Sequence, residues 1–240
     1  MKIVEKLNKK KDIYNASPVT IAFLGDSVTQ GCFECYLTSE NSLDTVFEYK
    51  SAYSTRLREI LNILYPNVQV NIINSGISGD NAKNGLARMK RDIFPYTPDL
   101  VIVSFGLNDA VVGGEEGANL YAETIEMIFK ELKERKIEGI FLTQNFMCTD
   151  TSPHLKETLF KNLAVSFSNV QKQNILKKYF EKAQEKVEEQ NGKVCDLYST
   201  WEKMYKSGIN VTELLSNKLN HPIREFHYYI AIKLIEKMFE

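Results

Sequence analysis

The stretch Val19-Thr20-Ile21-Ala22-Phe23-Leu24-Gly25-Asp26-Ser27 begins with six apolar or β-branched residues in a row, then breaks at a glycine and an aspartate before a serine. An apolar run without polar alternation reads as a strand buried on both faces, as a parallel sheet covered by helices requires. Gly25-Asp26-Ser27 then marks the strand-to-helix turn. The Ser27 hydroxyl is therefore expected at the carboxyl edge of the sheet, where α/β proteins keep their chemistry.

Outward from this strand the pattern repeats. Short β-branched runs at 68–73, 100–105, 139–143 and 193–195 alternate with helical stretches at 52–64, 81–91, 117–136, 171–190 and 224–239. In 117–136, Leu120, Ile125, Ile128, Phe129 and Leu132 recur at near-helical spacing while Glu123, Glu126, Lys130 and Lys133 fill the polar face. This alternation predicts a three-layer α/β/α sandwich around a five-stranded parallel sheet. Two segments, 33–50 and 147–169, carry neither period. Both lie on the carboxyl side of the sheet and are expected to form pocket walls or a lid.

At 240 residues the chain is expected to form a single domain, residues 1–240, with 1–17 as an N-terminal extension. Thirty basic residues against 31 acidic ones leave a net charge of −1. Such a surface exerts no long-range pull on polyanions, so neither nucleic acid nor a membrane is expected as a partner. The first twelve residues are basic but no apolar stretch follows them, so no leader or spanning helix is read there and a cytoplasmic location is expected. Cys32, Cys35, Cys148 and Cys195 are too few to require a disulfide framework. The C-x-x-C of Cys32 and Cys35 has no second pair to complete a zinc site, and is read as reduced thiols beside Ser27. No metal or cofactor is expected.

A serine hydroxyl attacks an ester only with a base in hydrogen-bond reach and donors for the oxyanion. Ser27, at a helix start, has free N–H groups around it, although the same position also suits a plain N-cap. Gly79, in Asn74-Ser75-Gly76-Ile77-Ser78-Gly79-Asp80, and Asn108, in Gly106-Leu107-Asn108-Asp109, each follow a different strand. A parallel sheet brings both to the edge that holds Ser27, where they could donate to one oxyanion; either alone also reads as a turn residue. Only His154, His221 and His227 can supply an imidazole. His221 precedes Pro222, which sets it in a turn before the last helix. His227 falls inside that helix and reads as a packing residue, while His154 lies in the irregular 147–169 segment as a candidate pocket-lining group. Asp26 and Asp109 read as helix-start carboxylates that support the site rather than react. The G-x-S-x-G elbow of the larger α/β-hydrolases is absent, as is a G-x-G-x-x-G turn after the first strand.

Taken together, the four blocks around Ser27, Gly79, Asn108 and Asn220-His221-Pro222 resemble the GDSL/SGNH hydrolase family, named for a Ser, a Gly, an Asn and a His in four blocks of this order. The resemblance implies a flavodoxin-like strand order and a serine esterase or acylhydrolase acting on a small acyl ester, with deacetylation of a sugar or glycoside as the substrate expectation. It implies Ser27 as nucleophile and His221 as base, with the N–H groups of Ser27 and Gly79 and the amide of Asn108 as oxyanion hole. The chain departs from the pattern at one place. The family's acid stands three residues before the histidine, or four in members with an Asn-His-Pro block, and those positions here are Lys218 and Asn217. Loss of that carboxylate can cost orders of magnitude in rate. Three accounts stand open: a Ser27–His221 dyad oriented by Asn217 or by a carbonyl of the 215–220 loop; an acid from elsewhere, with Asp196 the first candidate; or a catalytically impaired homologue that binds esters or carbohydrates.

Overall fold

The computed structural model describes residues 1–9, 17–40 and 42–240. Strand β1 (Val19–Gly25) is buried at every position because it has strands on both sides and helices on both faces. An antiparallel hairpin follows, β2 (Cys32–Ser39) with β3 (Ser42–Phe47), and then the strands β4 (Val70–Gly76), β5 (Leu100–Ser104), β6 (Glu138–Leu142) and β7 (Lys193–Cys195). The main sheet is parallel in the order β4-β1-β5-β6-β7. The chain steps from β1 to β4 on one side, then back past β1 to β5 on the other. This is the flavodoxin-like order, and the reversal opens a crevice at the carboxyl ends of β1, β4 and β5, where Gly25 lies level with Gly76 and Ser104.

The helices are α1 (Lys2–Lys9), α2 (Ser27–Gln30), α3 (Tyr53–Leu64), α4 (Ala82–Asp92), α5 (Leu107–Gly113), α6 (Ala118–Glu134), α7 (Thr158–Lys172), α8 (Ile175–Glu189), α9 (Tyr198–Lys206) and α10 (Arg224–Phe239). Helices α3 and α10 pack together, and α6 packs with α4 and α8. Strand β7 touches both α8 and α10, one from each layer. Among the described residues no helix is long and apolar enough to cross a membrane.

Several segments differ from the sequence expectation for physical reasons. The stretch 33–50 is largely the β2–β3 hairpin, whose register shifts between Cys32 and Cys35 and between Leu37 and Ser39 erase the two-residue alternation that would have announced it. The helix expected over 171–190 is α8, and its start lies at Ile175 because Asn174 takes φ 57°, a left-handed conformation that divides it from the end of α7 at Lys172. The segment 147–169 opens with buried residues Met147 and Cys148 and ends inside α7. Residues 1–9 do not trail from the domain: α1 buries Ile3 and Leu7 in the core, and the Glu138 carboxylate accepts the Lys2 and Ile3 N–H groups at 3.0 and 2.8 Å, serving as a cap from outside the helix.

Candidate active site

Where β1 ends, Asp26 turns the chain into α2. Its carboxylate accepts the Val28 N–H at 3.0 Å, so Asp26 is the N-cap and Ser27 the first helical residue. Ser27 is thereby released from the capping role, and its own N–H, at a helix start, has no acceptor within the helix. The Ser27 Oγ lies 3.0 Å from Nε2 of His221, and both residues are 4% exposed. These atoms come from positions 194 residues apart.

The loop that carries His221 is built on Asn217. Its Oδ1 accepts the N–H groups of Leu219, Asn220 and His221 at 3.0, 2.9 and 3.0 Å, while its Nδ2 donates to Asn220 Oδ1 at 3.0 Å and to Cys35 Sγ at 3.5 Å. Asn217 therefore orients the His221 backbone, not the ring. An isolated bridge between Leu215 and Pro222 and the Ser216 N–H to His221 carbonyl bond at 2.7 Å close the loop. The ring's Nδ1 faces the Phe33 carbonyl at 2.9 Å. Neither the Asn217 side chain nor a carbonyl of the 215–220 loop holds that position. Asn217 commits its acceptor to the amides of the turn, which leaves the ring to the hairpin strand beside it. Asp196 is engaged elsewhere, accepting from Thr143 Oγ1 at 3.0 Å and from the Ser199 N–H at 3.1 Å at the start of α9.

A carbonyl can only accept, so Nδ1 carries the proton and Nε2 presents its lone pair to the serine. Burial pushes the His221 pKa down to about 4, opposed by the Phe33 carbonyl and by the charge of Glu34. The ring is thus neutral near pH 7. The other two imidazoles are apart from this pair: His227 is fully buried, its Nδ1 accepting the Tyr53 N–H at 3.1 Å between the Phe33 and Tyr53 rings, and His154 is exposed.

The blocks around Gly79 and Asn108 are stitched to the serine turn. Gly76 sits where a Cβ would lie 2.2 Å from the Gln30 nitrogen, so the absence of a side chain is what lets β4 close against α2. Across that contact Asn74 Nδ2 donates to the Thr29 carbonyl at 2.9 Å, and Gln30 Oε1 accepts the Ser78 N–H at 2.6 Å. Gly79 has φ 78° and stands open to solvent. Asn108, in the first turn of α5, donates from Nδ2 to the Asp80 carbonyl at 2.8 Å, which occupies one of its two amide hydrogens and leaves the other.

Two supporting residues escaped the sequence reading. Gln144, just past β6, donates to Asp26 Oδ2 at 2.8 Å and accepts the Leu107 N–H at 2.9 Å, tying the serine turn to the Asn108 turn. Buried Arg88 donates to Asp80 Oδ2 at 2.7 Å, to the Ser75 carbonyl at 2.7 Å and to the Gly25 carbonyl at 3.0 Å. Its signal was present: Arg88 shares the buried face of α4 with Ala82, Gly85 and Met89. Asp26 and Asp109 lie within this support. Burial raises the Asp26 pKa to about 7 against the pull of Gln144 and the Val28 N–H, and raises Asp109 to about 6, with Asp109 Oδ1 accepting the Ala82 N–H at 3.0 Å. Cys32 and Cys35 are both free thiols on β2. Among the described residues no group of three or more His, Cys, Asp or Glu is placed to hold a metal ion.

Residues 23–227 match the model of the GDSL-like lipase/acylhydrolase family. An acetylxylan esterase of Geobacillus stearothermophilus is 32% identical over 89 residues, 37% of this chain and 39% of that protein. An arylesterase of Vibrio mimicus is 48% identical over 44 residues, 18% of this chain and 22% of that protein. The matched segments thus span well under half of either relative. Among solved structures, an acetyl xylan esterase superposes with a TM-score of 0.66 at 17% identity, covering 91% of this chain and 98% of that one, a likeness of fold.

Proposed function

The chain belongs to the GDSL-like lipase/acylhydrolase family, and from that membership we propose that it is a serine esterase that removes a small acyl group, with acetylated carbohydrates as the substrate class. The observation that carries the reading is the 3.0 Å contact between Ser27 Oγ and His221 Nε2 at the crevice where the Gly79 and Asn108 turns also arrive. Ser27 attacks the ester carbonyl while His221 Nε2 takes its proton. The oxyanion forms against the Ser27 and Gly79 N–H groups and the free amide hydrogen of Asn108. Collapse breaks the ester bond, and the imidazolium returns the proton to the departing alcohol. Water, deprotonated by the same nitrogen, then releases the acid from Ser27. The acetylxylan esterase likeness over 89 residues supports the acetyl and carbohydrate assignment.

The Phe33 carbonyl performs one of the two tasks of the family's aspartate, fixing the tautomer, but brings no full charge to stabilise the imidazolium. That same deficit favours the second reading, a homologue that binds acetylated sugars without turning them over. One experiment separates the two: hydrolysis of p-nitrophenyl acetate and of an acetylated xylooligosaccharide by the wild type and by Ser27→Ala. An esterase loses on the order of a thousandfold or more in kcat when the nucleophile is removed. Binding of the acetylated sugar with no turnover above the Ser27→Ala background would establish the second reading instead.

A further inference from the structure

If the base's partner is a main-chain carbonyl, something must hold that carbonyl still. A two-stranded hairpin is marginal alone, and β2–β3 lies outside the main sheet. One side chain spans it. Arg224, three residues after His221 and first in α10, sends Nη1 and Nη2 to the two oxygens of Glu34 at 2.7 and 3.0 Å, and Nε to Glu48 at 2.6 Å. Its guanidinium carbon stands 4.4 Å from the centre of the Phe33 ring. Phe33 and Glu34 belong to β2, and Glu48 follows β3, where its N–H bonds the Gly31 carbonyl at 2.9 Å. The segment 221–224 thus meets 33–34 twice, through the imidazole on the Phe33 carbonyl and through the fork on Glu34.

We propose that Arg224 is a positioning residue that takes over the task of the missing acid by clamping the Phe33 carbonyl onto His221 Nδ1; the inference rests on the Ser27–His221 reading above. The fork geometry of a guanidinium on a carboxylate fixes a plane as well as a distance, which a lysine cannot do. These ion pairs are partly exposed, the Arg224 and Glu34 side chains being 33% and 46% accessible, so their contribution to stability is small. Their effect is on geometry. Charge bears on it too: two carboxylates against one guanidinium leave the cluster with a single negative charge, the sign of the absent aspartate, and Glu34 opposes the fall in the His221 pKa.

The test measures kcat and KM for p-nitrophenyl acetate, and the rate of covalent labelling by a small organophosphonate, in the wild type, Arg224→Ala, Arg224→Lys and Ser27→Ala. Expected for Arg224→Ala is a fall in kcat of about 10- to 100-fold, the cost of a misplaced catalytic group. KM should stay within about twofold and labelling should slow in proportion to kcat, since both read activation of Ser27. Arg224→Lys should recover only part of the loss. Wild-type kcat in a folded Arg224→Ala with an inactive Ser27→Ala overturns the clamp and leaves the esterase reading standing, whereas full activity in Ser27→Ala overturns the esterase reading itself. Should Arg224→Ala fail to fold, the Glu34→Gln, Glu48→Gln double variant carries the same expectation, and wild-type kcat there overturns the clamp.

Discussion

Asn217 stands where the family pattern asks for an acid, yet its side chain faces the wrong atoms for that work. Its Oδ1 gathers three backbone N–H groups, while Nδ2 points to Asn220 and Cys35. An aspartate there would keep the three amide bonds and make them charge-assisted, but would bring a second oxygen against Asn220 Oδ1 and none to the ring. Asn217→Asp is therefore expected to fold and to leave kcat for p-nitrophenyl acetate at or below the wild-type value. Asn217→Ala strands three donors, each costing about 1–3 kcal/mol if it stays buried and unpaired, and should lower both melting temperature and kcat. A rise in kcat on Asn217→Asp would mean that the carboxylate reaches Nδ1 after all. At this scale the meeting of Ser27 and His221 was legible because each sits in a short motif beside a recognisable strand or helix end; the roles proposed for Gly79 and Asn108 rest on motifs of the same kind. The Phe33 partner was not legible, because a main-chain carbonyl has no residue type. Gln144 was obscured by distance, since its bridge joins residues 118 and 37 positions away.

At the level of elements, the site depends on how closely β4 approaches α2. The strands themselves were readable, since long apolar runs with no alternation admit few other readings, and 224–239 coincides with α10. The hairpin was unreadable because its bulges break the period, and α7 because its helical pattern begins inside a segment opened by Thr, Ser and Pro. Gly76 supplies a prediction at this scale. A methyl there would fall 2.2 Å from the Gln30 nitrogen and 2.7 Å from the Gln30 Cα, both backbone atoms that cannot turn aside. Gly76→Ala must push α2 away from β4 and carry Ser27 with it. Overpacking of this kind costs roughly 1–3 kcal/mol, so the melting temperature should drop along with kcat. The contrasting substitution is Gly79→Ala, which meets open space but a φ of 78°. Its cost should come from the backbone alone.

For the whole molecule, acid is the informative variable. Burial holds His221 near 4 and His227 near 3, so both rings stay neutral in the fold at pH values where an unfolded chain would protonate them. Their contribution to stability is complete above about pH 6.5 and is lost as pH falls through the folded values. Asp26, raised to about 7, and Asp109, raised to about 6, act in the opposite sense: their contribution is complete below about pH 3.9 and is lost as pH rises through those values. The two pairs offset one another between roughly pH 4 and 7. Under the proposed Ser27–His221 mechanism activity has no such compensation, because His221 takes the serine proton only as the neutral ring. The acid limb of kcat/KM is expected with its midpoint near pH 4. A midpoint at the ordinary histidine value would show that water reaches the ring and that the burial described here does not persist in solution.

The hydrogen bond from His221 to the Phe33 carbonyl also has a genetic meaning. An aspartate partner can be erased by one nucleotide change, but a peptide carbonyl is encoded by every codon. Random substitution at position 33 therefore cannot remove the acceptor and can act only through the fully buried ring that seats it. In a saturation library, activity at this position should grade with the size and shape of the side chain, while positions 27 and 221 should show an all-or-none response.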